Sequence, residues 1–258
     1  MQWITLFKKE MVEFWRNKKW IWFPLVMILL AIMDPISNYY LPQIIEATGG
    51  LPEGTTIELP DYTPPEVIMM SLGQFSSLGV LVIVLMSMGT IASERKSGVS
   101  ELILVKPVAY RNYITAKWAA LLVLVWGSLL IGILASWYYI TILYGDLALG
   151  SLLLVVLFYG LWLTLVVTVS IFYNTLFKSV GVVGFLSILT IMLVGLVTRI
   201  FGRFLSWSPI HLSDHIFDML MMDHMSSELF ATALVTLAMT IVLLILSIFT
   251  FKTKEMAN

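Results

Sequence analysis

The sequence predicts an all-α membrane protein with six transmembrane helices. A helix needs roughly 20 apolar residues to cross a bilayer core of about 30 Å. Within that core no water binds the backbone, so a helix that pairs its own amides is favoured. Apolar residues make up 59% of the chain and charged residues 12%, which is well below the share in soluble domains. Six apolar stretches of sufficient length begin near Trp20, Ile68, Trp118, Leu152, Val180 and Leu229.

The composition also excludes several classes of function. The chain has no cysteine, which excludes disulfides, thiolate metal sites and cysteine nucleophiles. Its net charge of −1 gives no sign of a nucleic-acid partner. No small-residue cleavage site ends a short apolar core after the basic N-terminal stretch, so we expect no cleaved signal peptide. The short connections favour one membrane domain over residues 1–258.

The positions of the basic residues predict how the chain sits in the membrane, because cytoplasmic connections are rich in Lys and Arg. Of the 15 basic residues, thirteen fall on one predicted side: five in residues 1–19, five in residues 93–117, then Lys178, Lys252 and Lys254. The two others, Arg199 and Arg203, fall on the opposite side. Both termini are therefore predicted to be cytoplasmic, which requires an even number of spans.

Residues 1–19 are predicted to contain an amphipathic helix before the first span. At 100° per residue, six apolar side chains fall within an arc of about 120°. They are Trp3, Ile4, Phe7, Met11, Phe14 and Trp15. A basic helix with an aromatic face lies in the membrane interface. The alternative is an ordinary basic flank before a span, but the broad apolar stripe favours the interfacial helix.

The first span, from about residue 20 to 41, contains the acidic residue Asp34 followed by Pro35. An acid at that depth is costly, so Asp34 is a candidate residue of a transport pathway. Alternatively, Pro35 bends the end of the helix and Asp34 meets water at the outer interface. Residues 42–66 are rich in Pro, Gly and acids, and are predicted to form an outer loop.

The second span, from about residue 66 to 92, is rich in serine and glycine. Small and weakly polar residues let helices approach closely and bond across an interface, so packing alone explains most of them. Gln74 carries a larger polar group, and we therefore take it as the second candidate pathway residue.

An outer segment over residues 199–228 separates the last two spans. It is too apolar for a solvated loop, and we expect short helices that dip back into the membrane and cap the pathway. His211, Asp214, His215 and Met221 are the candidate residues of this outer cap.

The same segment raises an alternative function, an intramembrane metal-dependent enzyme. His211, Asp214 and His215 have the i, i+3, i+4 spacing of the H-x-x-E-H zinc enzymes, with Asp in place of Glu. No distant third ligand is evident, and a polar helix face explains the same residues. We therefore expect no metal site here, and leave a pH-sensing role of the histidines open.

The connection between the second and third spans, residues 93–117, is the most informative segment. Residues 94–96 are charged and mark the point where the chain leaves the membrane, and Gly98 allows a turn. Residues 100–105 can form a short helix, which Pro107 stops. A short charged helix beneath the membrane is a docking element and is too small to be a catalytic domain.

This connection resembles that of the ABC-2 type permeases. The shared pattern is an acid–base pair, a glycine, a Glu-Leu pair, a proline and a lysine before the next span. The matching residues are Glu94, Arg95, Gly98, Glu101, Leu102, Pro107 and Lys117. The interfacial helix, the six spans and the outer insertion with its Ser208-Pro209 pair fit as well, so the resemblance covers essentially the whole chain. It is closest to the small six-span permeases of Gram-positive bacteria.

The resemblance implies a permease subunit of an exporter in the bacterial plasma membrane, without a catalytic site of its own. Two copies of the chain, expected as a homodimer among membrane lipids, would form the path. Two ATPase subunits would bind ATP and Mg²⁺ beneath them, with residues 93–117 as the coupling helix. No G-x-x-x-x-G-K-[S/T] phosphate loop occurs in this chain, so we expect no cofactor within it.

A passive channel or scaffold is the remaining alternative. It explains the apolar spans but not the docking segment, because the positive-inside rule accounts for basic residues and not for Glu94 and Glu101. The aromatic and methionine-rich spans favour an amphipathic cargo such as a lipid-like compound, a drug or a peptide.

Overall fold

The computed structural model describes residues 2–47, 60–99, 109–202 and 204–256, which are helical and contain no strand. Six helical stretches in these ranges are long and apolar enough to cross a membrane, which confirms the predicted architecture. We number them spans 1 to 6: Lys19–Ile45, Pro64–Lys96, Tyr110–Leu143, Leu149–Leu176, Val180–Ile200 and Ser227–Lys254.

Ten helices are described, of which the first and the ninth lie outside the six spans. They are α1 (Gln2–Arg16), α2 (Lys19–Ala47), α3 (Pro64–Gln74), α4 (Val80–Ser87), α5 (Ala92–Lys96), α6 (Tyr110–Leu143), α7 (Leu149–Leu176), α8 (Val180–Ile200), α9 (Leu212–Met222) and α10 (Ser227–Met256). Span 2 is therefore composite: a π-helical turn, Phe75–Gly79, joins α3 to α4, and a turn over residues 88–91 separates α4 from α5. A 3₁₀ turn, Pro209–His211, precedes α9.

Helix α1 is the amphipathic helix predicted before span 1. Part of its apolar stripe packs against the bundle and part is exposed. Phe14 is buried, and the Trp3 indole N–H donates to Thr115 Oγ1 of α6 at 3.0 Å. Ile4 and Trp15 are exposed, which leaves them free to meet lipid. The chain turns from α1 into α2 at Lys18, whose φ of 55° lies in the left-handed region.

The predicted end of span 1 near residue 41 is wrong, because the helix extends past that residue. Helix α2 continues through Pro35 and two other prolines to Ala47. Proline has no N–H, so in a helix Pro35 leaves the carbonyl of Ala31 without its partner. The hydroxyl of Ser71 in α3 donates to that carbonyl at 2.7 Å, and a neighbouring helix thus satisfies the freed acceptor. Asp34 consequently lies near the middle of a long helix and not at its end.

Span 4 lies at the centre of the bundle and span 5 at its periphery. In the most apolar 18-residue stretch of each, 78% of span 4 is buried and 17% of span 5. Span 4 contacts spans 2, 3, 5 and 6. Gly160 permits one close approach, because the Trp126 indole lies where a Cβ atom would be.

The first helix and the C-terminal end of α10 meet at one end of the bundle, which we call the termini end. There Tyr113 of α6 stacks on Phe251 of α10 at 5.3 Å between ring centroids. The Lys254 ammonium also donates to the carbonyl of Leu176, at the end of α7. Helix α9 packs against α3, α7 and α10 near the opposite end, so a short helix does precede span 6.

Candidate coupling site

A largely buried group of charges joins α1 to residues near the two ends of the predicted docking segment. Lys117, near the start of span 3, places its Nζ 2.7 Å from Glu10 Oε1 and 3.0 Å from Glu94 Oε1. Glu94 also accepts from Lys9 Nζ and from the Tyr113 hydroxyl, each at 2.5 Å. We call these five residues the charged cluster.

The charged cluster is neutral overall, because two carboxylates face two ammonium groups. The side chains of Glu10 and Lys117 are each 3% exposed, and that of Glu94 is 12% exposed. Buried charges are tolerated only where they are paired and hydrogen-bonded, and each of these has an opposite charge in contact. Burial alone would lower the pKa of Lys9, but attraction by Glu10 and Glu94 outweighs it and raises that pKa above its ordinary value.

Helical spacing brings these side chains together. Tyr113 and Lys117 are four residues apart on α6, so they share one face, and the ammonium lies 5.2 Å from the centre of the phenol ring. Glu94 lies in the first turn of α5, and Glu10 is on the face of α1 that packs against α6. The charged cluster therefore depends on three separate elements meeting at the termini end.

The charged cluster holds together two of the predicted coupling residues, Glu94 and Lys117. A third, Arg95, is buried and donates to the carbonyl of Thr175 at 2.8 Å. Gly98 adopts a φ of 76°, which suits the turn predicted there. The other three, Glu101, Leu102 and Pro107, lie outside the described residues, as does the helix predicted over residues 100–105.

The two candidate pathway residues contact each other within the bundle. Gln74 Nε2 lies 3.1 Å from both carboxylate oxygens of Asp34, and both side chains are partly buried. Gln74 directly precedes the π-helical turn, and such turns are rare and frequent at functional sites. Beside this pair, Ser76 and Ser77 are exposed on the surface of the single chain.

The fully buried Tyr159 of span 4 holds the π-helical turn in place. Its hydroxyl lies 2.8 Å from Ser76 Oγ and donates to the carbonyl of Leu72 at 3.2 Å. Sequence reasoning missed both Tyr159 and the turn. The run of serine and glycine in span 2 was the available signal, but it is equally typical of close helix packing.

The histidine cluster does not converge on one point. His211 Nδ1 lies 2.7 Å from Asp214 Oδ2, whereas the rings of His211 and His215 are 6.4 Å apart. His215 Nε2 instead approaches the carbonyl of Ser206 at 3.4 Å. The structure places Met221 on the exposed side of α9.

Among the described residues, one group of three acidic or histidine side chains brings its ligand atoms within 4.8 Å of one another: Glu10, Glu13 and Glu94. The ammonium groups of Lys9 and Lys117 already lie among these carboxylates. Each of these carboxylates therefore already has an ammonium group of the protein in contact.

Two cavities lie between the helices of the bundle. One of about 470 Å³ lies beside the charged cluster, between α1 and spans 1, 2 and 5. The other, of about 510 Å³, lies between spans 4, 5 and 6 and has an almost entirely apolar lining. Its polar exception is the hydroxyl pair of Tyr173 and Thr190, which are 2.7 Å apart.

These features define a multi-pass helical membrane protein with ion-paired helices at one end. The chain matches the family model of the ABC-2 family transporter proteins over residues 4–256, and it belongs to that family. It is 32% identical over 206 residues to the uncharacterized transmembrane protein YxlG of Bacillus subtilis (strain 168), covering 80% of each chain. Membership implies a permease role in a transporter, and such permeases in general pair with an ABC ATPase.

Proposed function

We propose that this chain is the permease subunit of an ABC exporter, driven by a separate ATPase that docks on residues 93–117. The observation that carries the proposal is the 3.0 Å ion pair between Glu94 and Lys117. These two residues lie near the two ends of the docking segment, and Lys117 also contacts Glu10 of α1. A force applied to the segment would therefore reach spans 2 and 3 and α1 together.

The remaining parts of the exporter follow from this arrangement. Two ATPase subunits bind ATP and Mg²⁺ beneath two copies of the chain, which itself has no phosphate loop. The chain lies in the plasma membrane with both termini in the cytoplasm, so the termini end faces the ATPases. This orientation is supported by the excess of Lys and Arg in the connections at that end.

The path is proposed to run between two copies, along the polar flank of spans 1 and 2. Asp34 and Gln74 lie on that flank next to the exposed Ser76 and Ser77. Polar groups of this kind are unfavourable against hydrocarbon and mark aqueous or protein-covered surfaces. A second copy of the chain would cover them and enclose the route.

The cargo is proposed to be amphipathic, since the chain offers apolar cavities and few buried charges along its spans. Helix α9 is proposed to close the outer end of the path. Leu212, Ile216 and Met219 fix it to the bundle, and the exposed Met221 is left to face lipid or the second copy.

Co-purification from native membranes tests this function. The tagged chain should retain an ATPase that contains a phosphate loop, and the complex should hydrolyse ATP. Glu101→Lys should abolish transport and weaken ATPase retention without loss of insertion, because close charge pairs across interfaces couple by roughly 1.5–7 kcal/mol. Glu94→Ala should have a weaker effect.

The matched control is Glu53→Lys, the same charge reversal on the side predicted to be external. It should leave ATPase retention unchanged. Wild-type retention in Glu101→Lys, or no ATPase bound to the wild-type chain, would contradict the proposal.

A further inference from the structure

Span 2 breaks just before it reaches the predicted docking segment. Helix α4 ends at Ser87, and residues 88–91 form a turn before α5 begins. In a continuous helix the amides of Ile91 and Ala92 would donate to carbonyls four residues earlier. In a membrane protein these freed groups need another partner.

One side chain of span 4 supplies that partner. Asn174 Oδ1 accepts from the amide of Ile91 at 3.1 Å and from the amide of Ala92 at 3.0 Å. Its Nδ2 donates to the carbonyl of Ser87 at 3.2 Å, on the other side of the break, and to that of Ser170 at 2.8 Å. Asn174 is completely buried and thus bonds to both helices that meet at the turn.

The residues after Asn174 anchor two further elements. The carbonyl of Thr175 accepts from Arg95 of α5, and the carbonyl of Leu176 accepts from Lys254 of α10. The last carbonyls of a helix have no partner within it, and cations near a helix C-terminus are stabilised by its dipole. Three consecutive residues therefore tie α5 and α10 to the end of span 4.

We propose that Asn174 is the positioning residue that sets the angle between α4 and α5 within span 2, so that movement of the docking segment is transmitted to span 4. The transmission rests on the proposed function, whereas the control of the angle does not. A glutamate or lysine contact on the surface could be replaced by water, but these buried amides have no such alternative. Loss of the Asn174 amide should therefore free the turn while the ion pairs of α5 remain.

The angle can be measured on the purified chain without an ATPase. Because the chain has no cysteine, spin labels can be attached at Leu81→Cys and Lys96→Cys, both at exposed positions on either side of the break. A straight helix would separate these residues by about 22 Å along its axis. Double electron–electron resonance should give one narrow distribution of distances between the two spin labels in the otherwise native chain.

Asn174→Leu should broaden this distribution at least twofold. Asn174→Asp keeps an acceptor for the two amides but lacks the Nδ2 donor to the carbonyls of Ser87 and Ser170, so it should give an intermediate width. This variant also covers failure of the leucine variant to fold. Thr168→Val is the control, because Thr168 is buried on the same helix but bonds to Trp118 and not to the break. An unchanged distribution in Asn174→Leu, or equal broadening in Thr168→Val, would overturn the proposal.

The second measurement uses the assembled complex and tests transmission. A label pair at Leu81 and Leu157 should report an ATP-dependent distance change, and Asn174→Leu should abolish this change while ATP hydrolysis continues. Absence of any bound ATPase would refute the proposed function and leave the angle measurement standing. A normal distance change in Asn174→Leu would refute transmission through Asn174.

Discussion

At the scale of single residues, the charged cluster is organised around Lys117. Its ammonium is the shared partner of two carboxylates, Glu10 at 3% and Glu94 at 12% side-chain exposure. Removing one member of a buried ion pair is usually costly, because the group left behind keeps its charge without its partner.

Lys117→Met should therefore lower the stability of the chain by about 3 kcal/mol, at the lower end of the usual range because Lys9 still contacts both glutamates. For a chain of this size that corresponds to a fall in Tm of roughly 6–12 °C in detergent. Adding Glu10→Gln should recover part of the loss. Lys8→Met, at an exposed position of α1, is the control and should change Tm little. A Tm equal to wild type in Lys117→Met would show that the charged cluster is dispensable.

The Asp34–Gln74 contact allows a second prediction at this scale. Asp34→Asn keeps the shape of the side chain and removes its charge, so protein yield and Tm should stay close to wild type. Transport, or the stimulation of ATP hydrolysis by candidate cargo compounds, should change if Asp34 faces the path. Asn38→Asp, one turn further along α2, tests whether any charge change on this helix has the same effect. Wild-type activity of Asp34→Asn with every compound would assign Asp34 to a structural role.

Glu94, Arg95 and Lys117 could be chosen from the sequence because their pattern resembles a known connection. Glu10 and Asn174 could not be chosen. A glutamate on an amphipathic helix is usually solvated, and an asparagine at a helix end is usually a local cap. Their roles depend on which helices pack together at the termini end, and hydropathy carries no information about that packing.

At the scale of elements, the long helix α2 shows how a bilayer changes the effect of proline. The expectation that the helix of span 1 ends soon after Pro35 came from the effect of proline in water, where a freed carbonyl binds solvent. Here the hydroxyl of Ser71 satisfies the carbonyl of Ala31, and the helix continues. The composite span 2 was equally hidden, because the serine and glycine residues in its π-helical turn are just as typical of close helix packing.

The Ser71 hydroxyl should therefore be needed only while Pro35 is present. Ser71→Ala should destabilise the chain by about 1–3 kcal/mol, the cost of leaving a buried acceptor unsatisfied. Pro35→Ala restores an amide for the Ala31 carbonyl, and in that background Ser71→Ala should cost clearly less. Thermal unfolding of the four proteins in this double-mutant cycle measures the coupling. Equal costs in the two backgrounds would show that Ser71 acts only through its contact with Ser136.

At the scale of the whole molecule, hydropathy and charge predicted the number of spans and that both termini lie at the same end of the bundle. The six apolar stretches are long enough to leave few alternatives, and an even number of them returns the chain to its starting side. What hydropathy could not predict is the order of burial among the spans. Span 5 has the same apolar character as span 4, yet it packs at the periphery.

The orientation of the chain in the membrane can be tested with reporter fusions. A reporter fused after Asn258 should be cytoplasmic, and reporters inserted near Gly50 or Asp146 should be external, because thirteen of the 15 basic residues favour the termini side. Paired fluorescent and alkaline phosphatase reporters give opposite signals on the two sides. An external C-terminus would invert the proposed position of the ATPases.

The proposed exporter depends on the docking of a separate ATPase on residues 93–117. This docking can be tested by placing a photo-reactive amino acid at Leu104, inside the segment, and illuminating intact cells. We expect a covalent adduct with a protein that carries a phosphate loop, and no such adduct from the same amino acid at Leu147, in the connection between spans 3 and 4 at the opposite end. Efficient incorporation at Leu104 with no ATPase adduct, or equal adducts from both positions, would contradict this docking.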